Sequence, residues 1–178
     1  YFTLFPYTTL FRPDNNETNI YLPLKYADRK YSGSVLKAKY KLVNLDYDDW
    51  VNYLSIERNY ERENKLYESF NIKENEIYCF VNKYFGTYPN IKIQESVKPH
   101  DTSIKSIYSE PTENSTIFDW IKIIQNASYI YTVETSFMYL IEKFDLKPNC
   151  VLTTWSRYNP PHYINTQGLF KKTWLYNY

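Results

Sequence analysis

Glycine is scarce in this chain: three occur in 178 residues, beside two cysteines and a single methionine. No G-x-S-x-G or H-E-x-x-H segment is present, so neither a nucleophile elbow nor a zincin helix is expected. Cys79 and Cys150 stand far apart without metal-ligand spacing, and they read as buried, reduced thiols of an intracellular protein. His100 and His162 are isolated, so no metal site is expected. Charge of one sign is lacking too. A net charge of +1 offers no electrostatic case for nucleic acid or anionic lipid as main partner. No apolar run reaches the ~20 residues that span a bilayer.

What is abundant is Tyr, with 21 residues, alongside Asn, Lys and Ile. That profile matches an AT-rich genome, and codon bias explains it at least as well as a carbohydrate-binding surface does. The length suits one domain with a real core. The chain begins YFTLFPYTTLFR, with no initiator Met. Pro6, Thr8 and Thr9 interrupt its apolar residues and no basic region precedes them, so it is not a secretory signal. Residues 3–12 resemble a translated sequencing-adapter remnant. On that resemblance 1–12 is a non-native leader and the chain an N-terminally truncated fragment. The other reading is an aromatic edge strand. Residues 13–45 read as an irregular segment, the expected end of a lost preceding domain.

From Asp46 the pattern turns helical. Tyr53, Ile56, Tyr60, Tyr67 and Phe70 recur at helical steps without a Gly or Pro between them, which predicts one long amphipathic helix. Glu57, Arg58, Glu61 and Arg62 would be its solvated flank, with Glu61 and Lys65 a favourable i,i+4 pair. The run IYCFV at 77–81 predicts a strand, and 104–108 a weaker one. Thr116 and Asp119 form a T-x-x-D capping box that opens a helix near Ile117. YIYTV (129–133) predicts a strand, 136–144 a helix stopped by Pro148, and VLTTW (151–155) a further strand.

Helix and strand alternating through short connections imply a parallel sheet covered by helices on its faces: α/β, three-layer and Rossmann-like. The domain is expected over 46–157, with 158–178 a tail. In such sheets ligands bind outside the carboxyl ends of the strands. That rule selects Glu134-Thr135-Ser136, where unpaired N–H groups and two hydroxyls at a helix start suit a phosphate or diphosphate. A plain helix cap is the competing reading. Lys83 and Gly86 follow the first strand on the same edge, Lys83 to neutralise phosphate and Gly86 to admit close backbone approach. Asn82, Arg157 and Tyr158 are further candidate nucleotide contacts. For these residues a solvated turn or surface loop is the alternative.

The stretch 116–140 resembles the nucleotide-sugar half of GT-B glycosyltransferases, of the heptosyltransferase-like kind. In that family an Asp-Ser/Thr-Gly-x-x-His-Leu segment meets the donor diphosphate. Here Glu134 stands at the Asp position, Thr135 at the hydroxyl, Ser136 at the Gly, Tyr139 at the His and Leu140 at the Leu. The resemblance covers about forty residues well, and ~110 if 77–81 is the first strand of the same domain. It implies a donor-binding portion that takes a nucleotide diphosphate sugar as substrate and needs no other cofactor and no metal. It also implies a glycan acceptor, and a general base on a missing N-terminal domain. The expected location is cytoplasmic, or the host cytoplasm for a viral protein. Residues 40–155 also look like uncharacterised environmental and phage proteins. Two further readings stay open: a non-catalytic α/β interaction module, such as a virion or assembly protein, and a sugar-nucleotide epimerase.

Overall fold

The computed structural model of the protein describes Tyr40 and residues 46–86, 89–112, 115–157 and 169–177. The leader 1–12, the irregular segment 13–45 apart from Tyr40, and Tyr158 lie outside the described residues. The chain divides into two compact units, Tyr1–Ile56 and Glu57–Tyr178.

In the first unit a 3-10 turn, Tyr47–Asp49, runs into the short helix α1, Trp50–Tyr53. Asp46 caps the turn, its Oδ1 accepting from Asp48 N at 2.9 Å. Tyr40 packs edge-on against Tyr47 with ring centres 5.9 Å apart, and its hydroxyl donates to the Trp50 carbonyl at 3.4 Å.

The single long helix expected from Asp46 to Phe70 does not form. The backbone leaves the helical region at Leu54, and α2 starts afresh at Tyr60–Ser69 with Asn59 as its cap, accepting from Arg62 N at 3.1 Å. A charged pair accompanies the break. Glu63 is 1% exposed and is held by a two-pronged pair from Arg58, at 2.9 and 2.5 Å. In an unbroken helix, residues five apart point about 140° away from each other. Arg58 reaches Glu63 because it stands outside α2. Arg62, expected in a solvated flank, forks onto Asp119 at 2.8 and 2.7 Å.

The second unit is built on a parallel sheet of five strands. These are β1 (Tyr78–Asn82), β4 (Lys105–Tyr108), β5 (Tyr129–Val133), β6 (Val151–Trp155) and β7 (Trp174–Asn177), in the order β4-β1-β5-β6-β7. The strands of the sheet thus follow a 2-1-3-4-5 order with one reversal, between β1 and β5. A small antiparallel pair, β2 (Tyr84–Phe85) and β3 (Lys92–Ile93), sits in the β1–β4 connection. The sheet extends beyond the expected boundary at 157, because β7 comes from the segment read as a tail.

Thr116 and Asp119 do open a helical segment. The Thr116 N–H donates to Asp119 Oδ2 at 2.8 Å, a 3-10 turn covers Ile117–Trp120, and α3 follows over Ile121–Asn126. Helix α4 runs Ser136–Lys143. Right-handed crossovers decide which face each connection takes. The steps β4 to β5, β5 to β6 and β6 to β7 all progress in one direction and so share a face. Phe80 accordingly meets Trp120 at 5.8 Å and Phe137 at 5.3 Å, and Tyr78 donates to the Ile123 carbonyl at 2.7 Å. The step β1 to β4 runs backwards and takes the other face. There Cys79, Val81, Tyr131, Val133 and Trp155 pack with Val97, Phe85 and Ile104 of that connection. Helices on both faces were expected. Among the described residues α2, α3 and α4 gather on one side, and the 83–104 segment forms the opposite layer.

Candidate functional site

The reversal between β1 and β5 sends the following segments to opposite faces and opens a crevice outside the strand ends. Asn82 closes β1 there, 1% exposed. Its Nδ2 donates to Thr132 Oγ1 at 3.0 Å and to Thr135 Oγ1 at 3.2 Å. Its Oδ1 accepts from Ser109 Oγ at 3.0 Å and from Tyr84 N at 3.3 Å. Two donors and two lone pairs are the full capacity of a carboxamide. Asn82 therefore ties the ends of β1, β4 and β5 to the start of α4, and it acts by holding Thr135 in place.

Thr135 is the cap of α4, extended in backbone and accepting from Phe137 N at 3.4 Å. With two N–H groups directed at its oxygen, its own hydroxyl hydrogen is left to donate. Ser136 follows at the first helical position, half-buried. Together with the N-terminal amides of α4 they form a small array of donors suited to an oxyanion.

Glu134 lies behind this array, fully buried, its N–H donating to the Trp155 carbonyl at 3.0 Å. Its charge is felt by Tyr139. Burial pushes the Tyr139 phenol up, Arg157 pulls it back and Glu134 pushes it further up. Glu134, Tyr139 and Arg157 thus form one electrostatic cluster beneath the edge. A buried carboxylate repels a phosphate, so Glu134 suits orienting Arg157 and Tyr139 better than touching a diphosphate itself. The Tyr139 ring also packs edge-on against Phe170 at 5.3 Å.

Lys83 is half-buried beside the same crevice, its ammonium 5.9 Å above the Tyr84 ring. Gly86 follows β2 and is exposed. It adopts a φ of 95°, and a Cβ there would meet the Asn90 carbonyl oxygen at 2.6 Å.

Three contributors had no place in the sequence-based reading. Ser109 and Thr132 complete the Asn82 network, and Gln94 Nε2 donates to the Ser156 carbonyl at 2.7 Å, pinning the 83–104 layer to the end of β6. The sequence also contains a D-x-D triplet, Asp46-Tyr47-Asp48, in the first unit, where Asp46 serves as a local cap. Among the described residues no group of His, Cys, Asp and Glu is arranged to hold a metal ion. No helix is long and apolar enough to cross a membrane among them either.

Comparison with protein-family models, with curated proteins and with solved structures gives no match.

Proposed function

We propose that the α/β unit is the donor-binding portion of a GT-B-like glycosyltransferase, whose parent enzyme moves a sugar from a nucleotide diphosphate donor to a glycan acceptor. The observation that carries this reading is the Asn82–Thr135 hydrogen bond of 3.2 Å, which fixes a hydroxyl and a helix start at the strand-order reversal. Thr135, Ser136 and the α4 amides would stabilise charge as it develops on the departing diphosphate. Lys83 and the Arg157 guanidinium would supply positive charge at the same edge. On this reading the general base comes from another domain of the parent enzyme. This portion alone is therefore expected to bind donor without transferring sugar.

Thermal melting of the full chain against UDP, GDP and ADP tests the reading. A ligand present at ~100 times its Kd adds about 2.7 kcal/mol. For a chain of this size that corresponds to roughly 5–10 °C in Tm. A shift for one diphosphate, lost in a Thr135→Ala/Ser136→Ala variant that still melts cooperatively, supports the proposal. A cooperative melt indifferent to every nucleotide refutes it and favours the non-catalytic interaction module.

A further inference from the structure

The 169–173 segment that leads into β7 meets α4, the helix whose start forms the candidate site, at two residues. Tyr139 and Glu142 are three positions apart and so share one face of the helix. At Glu142, Lys171 N–H, Lys172 N–H and Trp174 Nε1 donate to a single carboxylate at 2.9 to 3.2 Å. The Lys172 ammonium donates to the Glu142 carbonyl at 2.9 Å. At Tyr139, the Phe170 ring packs edge-on at 5.3 Å, and it stands 6.3 Å from Trp174. Leu169, Phe170 and Trp174 are buried, while Lys171 and Thr173 are exposed.

The segment is a strap across α4, and its contacts reach the edge of the candidate site. Tyr139 belongs to the electrostatic cluster with Glu134 and Arg157. Among the described residues β7 pairs with β6 alone, at the end of the sheet. An edge strand held by one carboxylate and a few buried rings opens before the sheet interior does. Lifting the strap strands its three donors and a buried carboxylate together, which favours complete docking over partial docking.

We propose that this strap is a conformational latch on the start of α4. Docked, its Phe170 ring holds Tyr139, and with it the Glu134–Arg157 cluster; undocked, the first turn of α4 loosens. The step to function rests on the donor reading above. A diphosphate bound at α4 and a docked strap favour each other, with equal coupling in both directions. Phe170 and Glu142 are then positioning residues of a site they do not touch.

Amide exchange of the full chain, read by mass spectrometry, tests the latch with and without ligand. Without ligand, Phe170→Ala should speed exchange ~10-fold or more in 134–140 as well as in 169–177, with β4 at its parent rate. Glu142→Gln reaches the strap at its other anchor and should give the same pattern, which keeps the test decisive if Phe170→Ala does not fold. Phe170→Tyr keeps the ring and should exchange like the parent. Ile107→Val, a core change in β4, controls for general destabilisation and should not single out 134–140. With UDP, GDP and ADP as probes, a nucleotide that binds should also protect 169–174. Its Kd should rise ~5-fold or more in both strap variants. Parent-like exchange at 134–140 in those variants, or a nucleotide that binds without protecting the strap, overturns the latch and leaves the donor reading standing. A parent chain indifferent to all three nucleotides refutes the donor reading instead, and the ligand-free exchange then decides by itself whether the strap holds α4.

Discussion

Replacing Asn82 by Ala tests whether one carboxamide organises the crevice. The substitution deletes four hydrogen bonds of 3.0 to 3.3 Å at once. Their partners do not lose equally. Thr135 is half-buried and Tyr84 lies at the edge of the sheet, so water can take over their share. Thr132 is wholly buried but keeps its own donation to the Val133 carbonyl at 2.8 Å. Ser109, 4% exposed, loses the acceptor of its hydroxyl. Counting ~1–3 kcal/mol for the one buried group stranded, and little for the exposed ones, the expected loss is about 1–3 kcal/mol. Urea unfolding followed by Trp fluorescence measures it, and an unchanged m-value shows that the denatured state is not the cause. The controls set an order. Ser109→Ala removes one partner and should cost about 1 kcal/mol, and Thr135→Val, which also removes a helix cap, about 1–2 kcal/mol. Should Asn82→Ala fall within ~0.5 kcal/mol of the parent, the range of an ordinary surface change, the network does not hold the strand ends together and Thr135 must be positioned by other means.

Four further outcomes follow from packing and charge. Glu142 is 5% exposed and accepts from Lys171 N, Lys172 N and Trp174 Nε1 at 2.9 to 3.2 Å. Glu142→Gln sets an amide among those donors and should cost ~2–4 kcal/mol, with hydrogen-exchange protection of β7 lost before that of β5. Gly86→Ala drives a Cβ into the Asn90 carbonyl at a φ of 95°, and should lower stability by about 1–3 kcal/mol. Burial pushes the Asp119 carboxyl up, but the Arg62 fork and the Thr116 N–H outweigh it and leave it below its usual range. A depressed folded-state value stabilises above the unfolded carboxyl value, near ~4, and that contribution fades as pH falls through the folded value. The stability gap between the parent and Asp119→Asn should therefore be full at neutral pH and shrink below ~4 in acid titrations; a gap independent of pH would contradict the assignment. Burial raises the Cys79 and Cys150 thiols to about 11 and about 12, so iodoacetamide at pH 8 should label both far faster in urea than in the folded chain.

The elements legible in the sequence share a physical property: their determinants are local. YIYTV and VLTTW are apolar, β-branched or aromatic runs bounded by polar residues, and β5 and β6 occupy those same positions. The Thr116/Asp119 box announces the turn before α3 because both members sit within one helical turn. Where the determinant is distant, local pattern misleads. A short-range determinant is missed too when it is not apolar: the spacing of Tyr53, Ile56 and Tyr60 runs on through the break at residues 54–59, while Arg58 pairs with the buried Glu63 five positions on. Strand β7 is four residues long, and it is held in place by Glu142, some thirty positions earlier.

The candidate site divides along the same line. Thr135 and Ser136 were visible as hydroxyls between a strand and a helix, and they occupy that junction. The role of Asn82 was not visible, because its partners Thr132 and Ser109 lie 50 and 27 residues away and meet it only once the strand order is known. That order follows from one fact, the backward step from β1 to β4. A chain stepping outward from β1 and then returning past it must leave β1 and β5 adjacent with diverging exits. The polar residue closing β1 then faces the first residues beyond β5 across the gap. Asn82 is that residue, and β1 before it is Tyr-Cys-Phe-Val, without a second hydrogen-bonding side chain near the crevice. The same backward step places Phe85, Val97 and Ile104 on the face opposite α4, leaving the crevice at Asn82 between segments that diverge to the two faces.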